Sequence, residues 1–550
     1  MVETPRANMT DYEQTRREFR LDVPECFNFA EDVLDTWAQD PDKLGMLWVN
    51  DAGEERRITF RQFSDRSKRF ANVLQGLGVG RGDIVFVMLH RIPEWWEIFM
   101  GVLRHGSVMS PGTMMLTPKD LQYRFDLSQA KVAITDADSL GKIQEIRDQC
   151  PSLQHVICVG GSGPGVVDYE EAMGRAPDQF ASAGTRSDDP ALMFFTSGTT
   201  GYPKMVLHTQ ASYGRGHEIT GRFWLDLRPD DLHWTLSDTG WAKAAWSCVF
   251  APWIMGAAIF MFDARGRFGA VETLQALSKY PITTFCGPPT AYRMMVLEDL
   301  SKYRLSLRHC VGAGEPLNPE VIEAWQAGTG LTIRDGYGQT ETVLLCGNFP
   351  PLEVRPGSMG KPSPGFEIAV IDENGRPVAP NQEGDIAVRV SPNRPVGLFK
   401  EYWKDPEITQ RALRSDWYIT GDRAYVDEDG YFWFVGRADD VIISAGYRIG
   451  PFEVESAVIE HEAVAEAAVV ASPDEMRGEI VKAFVILAPG HQASDELATA
   501  IQDHVKRVTA PYKYPREIEF VTELPKTISG KIRRIELRQR EWAKKGRRRR

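Results

Sequence analysis

Apolar runs rich in β-branched residues, DIVFVML (83–89), KVAITDA (131–137) and HVICVGG (155–161), alternate with stretches of helical character such as RQFSDRSKRFANVLQGLG and GKIQEIRDQC. That alternation predicts an α/β fold in which largely parallel sheets are covered by the helices that connect their strands. At 550 residues, 43% of them hydrophobic, the chain exceeds what one core can organise, so at least two domains are expected. Near Asp385 the pattern changes: GDIAVRV, YFWFVGRADDVIISAGYRI and VKAFVIL read as shorter strands with few helices between them, and a compact C-terminal domain is expected from about Asp439.

The net charge of −12 argues against bulk attraction to nucleic acid or anionic membranes, and the basic end KKGRRRR reads as a solvated tail. Seven cysteines with no C-x-x-C pair suggest reduced thiols rather than a disulfide framework or a zinc site. The opening MVETPRANMTDYEQTRREF has no apolar core of a secretory signal and is not acid-poor like a transit peptide, so a cytoplasmic location is expected. Val249–Phe262, the longest apolar stretch, is shorter than the roughly 20 residues of a membrane helix and contains Pro252 and Gly256. Buried core is expected there, and no transmembrane segment.

FFTSGTTGYPK (194–204) places four serine or threonine hydroxyls and two glycines within six positions, shortly before a lysine. Backbone N–H groups of a glycine-permissive loop can converge on an anion, hydroxyls add donors and the lysine adds charge, so phosphate is the natural guest. Tyr202 and Pro203 separate Gly201 from Lys204, which departs from the Walker A spacing. Taken alone, the loop could also be ordinary polar surface.

Four further segments decide between those readings. DGYGQTE (335–341), YITGD (418–422), GRADDVIISAGYRI (436–449) and PKTISGKIRR (525–534) follow the loop in an order that resembles the adenylate-forming superfamily of acyl-CoA synthetases, luciferases and peptide-synthetase adenylation domains. SDTGWAKAAW, GAGEPLNPE and VTAPYKYPREIEF are most similar to medium-chain acyl-CoA synthetases. The resemblance implies a large N-terminal domain, residues 1–438, of parallel-rich sheets with flanking helices and a distorted β-barrel. A small mobile α+β domain, residues 439–550, would carry a catalytic lysine. It also implies the chemistry: a carboxylate attacks the α-phosphorus of ATP and expels pyrophosphate, then the thiol of coenzyme A attacks the acyl-adenylate.

By that resemblance Thr196, Ser197, Gly198, Thr199, Thr200, Gly201 and Lys204 hold the β- and γ-phosphates. Glu341, a hard oxygen ligand, suits Mg²⁺, and Thr340 donates to the α-phosphate. Tyr337 offers an aromatic face to adenine, whose edge is lined by Asp335 and the Gly314–Glu315–Pro316 turn, and Gly336, Gly338 and Gln339 belong to the same ATP-binding set. Asp422 accepts from ribose hydroxyls and Arg437 donates to the same region. Lys531 bridges the substrate carboxylate and the α-phosphate, reducing repulsion between two anions. The carboxylate is already ionised at neutral pH, so no general base is needed, in keeping with the lack of a convincing Ser/His/Asp set around His208, His217 or His233. The sequence DEDG (427–430) has too few ligands for a calcium loop and reads as a turn.

For the second half-reaction the resemblance implies rotation about Asp439, bringing Ala445, Gly446 and Tyr447 to the thiol path, with Arg448 and Arg477 near coenzyme A phosphates. Acetate-activating relatives carry a tryptophan where this chain has Gly338, so an open acyl tunnel is expected, with Trp241 as an apolar wall. Expected partners are a small carboxylic acid, ATP with Mg²⁺, and coenzyme A, with no nucleic acid; the sequence does not set the oligomeric state. Two alternatives share the ATP site: an enzyme that loads a carrier-protein phosphopantetheine, and a non-catalytic ATP-binding scaffold.

Overall fold

The computed structural model describes residues 7–196, 203–266, 268–315, 317–444, 447–474, 477–510, 512–526 and 531–545. Its strands form three sheets. In the eight-stranded sheet, Ile84–Met88, Val108–Pro111, Val132–Asp136, His155–Val159 and Val166–Asp168 run parallel. These include the three apolar runs that the sequence marks as strands. At one edge the direction reverses: Pro190–Thr196 and Lys204–Thr209 form an antiparallel pair, extended by Glu401–Tyr402.

Helix Phe60–Gly76 starts where Thr59 and Gln62 form reciprocal side-chain caps, which satisfies two otherwise orphaned backbone donors. Helix Pro93–His105 begins on a proline and ends at Gly106, whose φ of 79° is open to glycine at little cost. Nearly all of this second helix is buried, because it lies inside the largest hydrophobic cluster with Trp95, Trp96 and Phe99. The two helices touch at Gly101, where a Cβ would sit 2.8 Å from the Phe70 Cβ and 3.0 Å from the Ser67 carbonyl oxygen.

The second sheet has a parallel centre: Leu44–Asn50, Ala258–Asp263, Leu232–Thr235, Thr284–Gly287, His309–Ala313 and Ile333–Gly338. After Gly338 the pairing turns antiparallel through Leu344–Gly347, Ser358–Pro362, Phe432–Arg437, Trp417–Val426, Gly384–Arg389 and Ile368–Ile371. This run is the form that the distorted β-barrel takes. It is joined to the parallel sheet through Leu344–Gly347, which pairs with Ile333–Gly338, and register shifts at Ser358/Gly360, Asp385/Ala387 and Arg423/Ala424 bend it. The apolar stretch Val249–Phe262 is core, crossing a buried helical segment before strand Ala258–Asp263. DEDG closes a turn in which Asp427 Oδ1 accepts from the Asp429 and Tyr431 N–H groups.

The chain leaves the second sheet at Arg437 and enters a separate five-stranded sheet at Ile442. Ile442–Ser444, Tyr447–Ile449, Gly478–Leu487, Val464–Asp474 and Glu517–Phe520 form it, flanked by helices Pro451–Ile459, Asp495–Val508 and Arg534–Lys544. Within this unit buried Lys482 is held by Glu541 and Glu519, each at 2.7 Å. All seven cysteines are free thiols. No helix of the described residues is long and apolar enough to cross a membrane.

Gly101→Leu should overpack the helix contact and lower stability by about 1–3 kcal/mol. The check is a urea unfolding curve, in which the midpoint should fall while the slope is kept.

Candidate active site

The site forms where these sheets and the C-terminal unit meet. Strands Pro190–Thr196 and Lys204–Thr209 pair Thr196 with Lys204, so the glycine-rich loop springs from a closed β-ladder and both residues stand at its base. Ser197, Gly198, Thr199, Thr200 and Gly201 lie outside the described residues, as does Pro316. The Lys204 ammonium rests 5.3 Å from the Tyr402 ring centroid, and the Tyr402 hydroxyl donates to Glu341 Oε1 at 2.9 Å. Lys204 and Glu341, 137 positions apart in sequence, thus face the same tyrosine.

Asp422 lies opposite Arg437 in the antiparallel ladder, and Arg437 Nη1 donates to Asp422 Oδ1 at 3.0 Å. The other oxygen accepts from the Tyr337 hydroxyl and the Gln339 side-chain amide, both at 2.6 Å. Burial and the adjacent Asp422 carboxylate push the Tyr337 phenol well above its ordinary range, so it stays a donor. Two residues before Tyr337 on the same strand, Asp335 is 6% exposed, and burial raises its carboxyl to about 8 despite the Gly336 N–H that donates to it at 2.9 Å. A carboxyl that keeps its proton near neutrality can both donate and accept, which suits the edge of a purine. Gly314, with φ of 117°, opens the adjoining turn, and Glu315 is anchored by the Thr290 hydroxyl at 2.6 Å and Arg293 at 2.9 Å.

Lys531 reaches this surface from the C-terminal unit. It lines a cavity of about 150 Å³ with Gly314, Glu315, Arg437, Asp440 and Glu455. Its side chain keeps contact with solvent, but protein crowds it from both sides. That desolvation lowers its pKa, against the opposing pull of Glu315 and Asp422. A wider depression of about 560 Å³ at Lys43, Glu55 and Tyr280 contains none of these residues. There Glu55 is already engaged by Lys279 and the Tyr280 hydroxyl.

The turn through Asp439 joins the two units. Arg538, on the last helix, donates to the Asp439 carbonyl at 2.7 Å and pairs with Asp440 at 2.8 Å. Among the coenzyme A candidates, Ala445, Gly446 and the Arg448 side chain lie outside the described residues. Tyr447 is exposed and stacked on Tyr512 at 4.4 Å, while Arg477 is exposed on a turn capped by Asp474. Neither Tyr447 nor Arg477 lines the Lys531 cavity. Trp241 is half-buried at the start of helix Ala242–Ala245. Gly338 is exposed on one side, yet a Cβ there would meet the Val343 carbonyl oxygen at 2.8 Å. A tryptophan at this position would have to displace the Val343–Leu344 backbone, so its effect would not be confined to a tunnel.

Two further residues at the site received no role from the sequence. Buried His208 places Nε2 2.7 Å from the Thr340 carbonyl and Nδ1 3.0 Å from the Ser212 hydroxyl. A carbonyl only accepts, so Nε2 bears the proton and the ring is neutral; burial pulls its pKa down to about 3. His208 therefore positions Thr340 and cannot act as a base at neutral pH. Lys243, within SDTGWAKAAW, donates to the Ala313 carbonyl at 3.1 Å and so sits beside the Gly314 turn. A histidine in the strand leaving a phosphate loop was the available signal for the first.

A glycine- and hydroxyl-rich segment between paired strands, a carboxylate supplied with donors from three residues and a lysine brought in by the C-terminal unit thus stand at one surface. The chain belongs to the AMP-binding enzyme family: that family's model matches residues 34–403, and the model of the AMP-binding enzyme C-terminal domain matches residues 453–531. It is 51% identical over 547 residues to the mitochondrial acyl-coenzyme A synthetase ACSM3 of Mus musculus, covering 97% of this chain and 94% of that one. It is 48% identical over 545 residues to human mitochondrial ACSM4, with the same coverage. Among solved structures, the anthranilate CoA ligase AuaEII in complex with anthranoyl-AMP superposes with a TM-score of 0.88 at 33% identity, over 96% of this chain and 99% of that one. The benzoate CoA ligase of Burkholderia xenovorans LB400 gives 0.83 at 29% identity, over 93% and 100%.

These relatives overturn the cytoplasmic expectation, since both acyl-coenzyme A synthetases are named as mitochondrial and point to that compartment instead. Free thiols fit the mitochondrial interior as well as the cytoplasm, so the cysteines do not separate the two.

His208→Phe should lower the rate of adenylate formation by about 10- to 100-fold with little change in the KM for ATP, since it leaves the buried Thr340 carbonyl unpaired. His208→Gln, which keeps a donor, should recover part of the loss in pyrophosphate exchange. Because the Asp335 pKa is raised in the folded chain, the native state holds a proton that the unfolded state has lost, and stability falls as pH rises from about 4 to about 8. Asp335→Asn should therefore flatten the melting temperature across that window, most visibly by gaining on the wild type above neutrality.

Proposed function

We propose that the protein activates a medium-length carboxylic acid, aliphatic or aromatic of similar size, to an acyl-adenylate with ATP and then transfers the acyl group to coenzyme A. It is an acid–thiol ligase, and AMP and pyrophosphate are the other products. The observation that carries this reading is the convergence of Lys531, from the C-terminal unit, on the surface that holds Glu315, Asp422 and Arg437. In that arrangement a cation faces the place where two anions, the carboxylate and the α-phosphate, must approach each other.

In the first step the carboxylate oxygen forms a bond to the α-phosphorus and the bond to the pyrophosphate oxygen breaks. Lys531 offsets charge at the point of attack, Thr340 donates to the α-phosphate, and Lys204 with the loop hydroxyls receives the pyrophosphate. Asp422 and Arg437 hold the ribose; Asp335 and the Gly314–Glu315 turn, with Tyr337, Gly336 and Gln339, hold the base.

Glu341 fits a magnesium ion. Burial raises its pKa, its side chain receives a hydrogen bond from the neutral Tyr402 hydroxyl, and among the described residues it forms no ion pair. A bound Mg²⁺ would neutralise phosphate charge there. In the second step the C-terminal unit turns about Asp439, withdrawing Lys531 and bringing the Ala445–Arg448 segment and Arg477 to the thiol, whose sulfur attacks the acyl carbon as AMP leaves. The exposed Tyr447 surface fits a segment that works in another orientation.

Lys531→Ala should reduce ATP–pyrophosphate exchange by about 10²- to 10³-fold while leaving thioester formation from supplied acyl-adenylate within a few-fold of wild type. Equal loss in both half-reactions would overturn the role. Product mass with coenzyme A against a phosphopantetheinylated carrier protein identifies the acceptor.

A further inference from the structure

We propose that His90, Asp136 and Asp138 form a binding site for a divalent transition-metal ion of the zinc type, which shares no residue with the nucleotide site and clasps two strand ends of the eight-stranded sheet. The first observation is placement. Strands Ile84–Met88 and Val132–Asp136 are parallel neighbours with Met88 paired to Thr135, so they end together and the chain leaves both at the same edge of the sheet. His90 lies two residues beyond the first strand, Asp136 is the last residue of the second, and Asp138 follows two positions later. The carboxyl ends of parallel strands are where open α/β sheets gather ligands.

The second observation is geometry. His90 Nε2 stands 3.7 Å from Asp136 Oδ2 and 4.0 Å from Asp138 Oδ2, and one ligand atom from each of the three residues lies within 4.8 Å of the others. A tetrahedral ion with bonds of about 2.0–2.2 Å holds its donor atoms roughly 3.3–3.6 Å apart. The groups need close by no more than about 1 Å to reach that spacing, and the exposed Asp138 side chain is free to turn. Both distances from the imidazole also exceed a hydrogen bond, so the three donor atoms are not already spent on one another.

The third observation is an unmet charge. Asp136 is 8% exposed, and its Oδ1 accepts from the Ser139 N–H at 3.1 Å. Its Oδ2, the oxygen turned toward His90, is buried and accepts no hydrogen bond among the described residues. A buried carboxylate oxygen without a donor is costly, so this one calls for a cation. The neighbouring guanidinium does not supply it: Arg265 Nη1 donates to Asp138 Oδ2 at 3.0 Å, and its Nε lies 3.7 Å from Asp263 Oδ2. The Arg265–Asp138 pair is open to solvent on both sides, which makes it weak, and an incoming ion can take Asp138 from it. One imidazole nitrogen with two carboxylate oxygens suits Zn²⁺ better than Mg²⁺, which prefers an all-oxygen octahedron and retains its waters. Three protein ligands leave a fourth position to water.

The test uses the full-length protein in a Cys26→Ser background, which removes its exposed thiol. After treatment with EDTA it is titrated with ZnCl₂ in a calorimeter, and its melting temperature is followed with and without the metal. This parent should bind one Zn²⁺ that the site variants do not, with a micromolar or tighter Kd, and should gain a few degrees in melting temperature; excess MgCl₂ should not displace the ion. His90→Gln and Asp138→Ala should each weaken binding about tenfold or more and abolish the melting shift. Asp136→Asn should do the same, and His90→Gln, which alters a partly exposed side chain, carries the test should that variant not fold. Co²⁺ in the parent should show the visible ligand-field bands of a four-coordinate site, and these should vanish in the variants. Absence of binding at micromolar Zn²⁺, or equal binding in parent and variants, overturns the site. Binding confined to the parent but without a melting shift overturns the clasp.

Discussion

A buried carboxylate needs donors for both oxygens, and Asp422 receives them from separate segments of the chain. Tyr337 and Gln339 approach one oxygen and Arg437 the other, so the end of strand Ile333–Gly338, strand Trp417–Val426 and strand Phe432–Arg437 are locked in height relative to one another. The consequences spread from there. Gln339 leads directly to Thr340 and Glu341, and Arg437 leads directly to the turn through Asp439. One desolvated anion therefore fixes both the reacting loop and the origin of the unit that delivers Lys531. The same oxygens face the region where ribose hydroxyls are proposed to bind, so substrate binding would draw on a network that already orders the site.

Charge is distributed so that the attacking and leaving groups need no help from proton transfer. The buried histidines are held neutral by desolvation: His208, with its pKa pulled down to about 3, serves as a fixed donor, and His217 serves as a packing plate. Cations stand instead where negative charge gathers: Lys204 at the base of the phosphate loop, Lys243 at the Gly314 turn, and Lys531 opposite Glu315. In the proposed second step Lys531 withdraws, and the way it is carried suits that step. It belongs to a unit with its own sheet, joined to the rest through a short turn that Arg538 grips.

Much of this was legible because the chemistry is written in local segments. Phosphate loops, acceptor-only carboxylates and glycine-flanked lysines are recognisable at short range, and the alternation of apolar runs with helices sufficed for parallel sheets. Other features depend on contacts across hundreds of positions. Tyr402 meets Glu341 and His208 meets Thr340 only after the chain folds, and neither Tyr402 nor His208 stands in a segment whose composition announces a role. Location was misjudged because composition reports only the redox state of the thiols, which two compartments share.

The sequence by itself determined the class of fold and the family, and it supplied the residues proposed to carry charge at the nucleotide site, because each depends on residue type and near-neighbour spacing. Tertiary structure alone decided which oxygen of Asp422 serves which donor, that Asp335 lies deep enough to keep its proton, and that Gly338 abuts the Val343 carbonyl as well as facing open space. The physical reason is the same in each case. Desolvation and steric exclusion are properties of the surroundings of a residue, and those surroundings are assembled from segments that the linear order keeps apart.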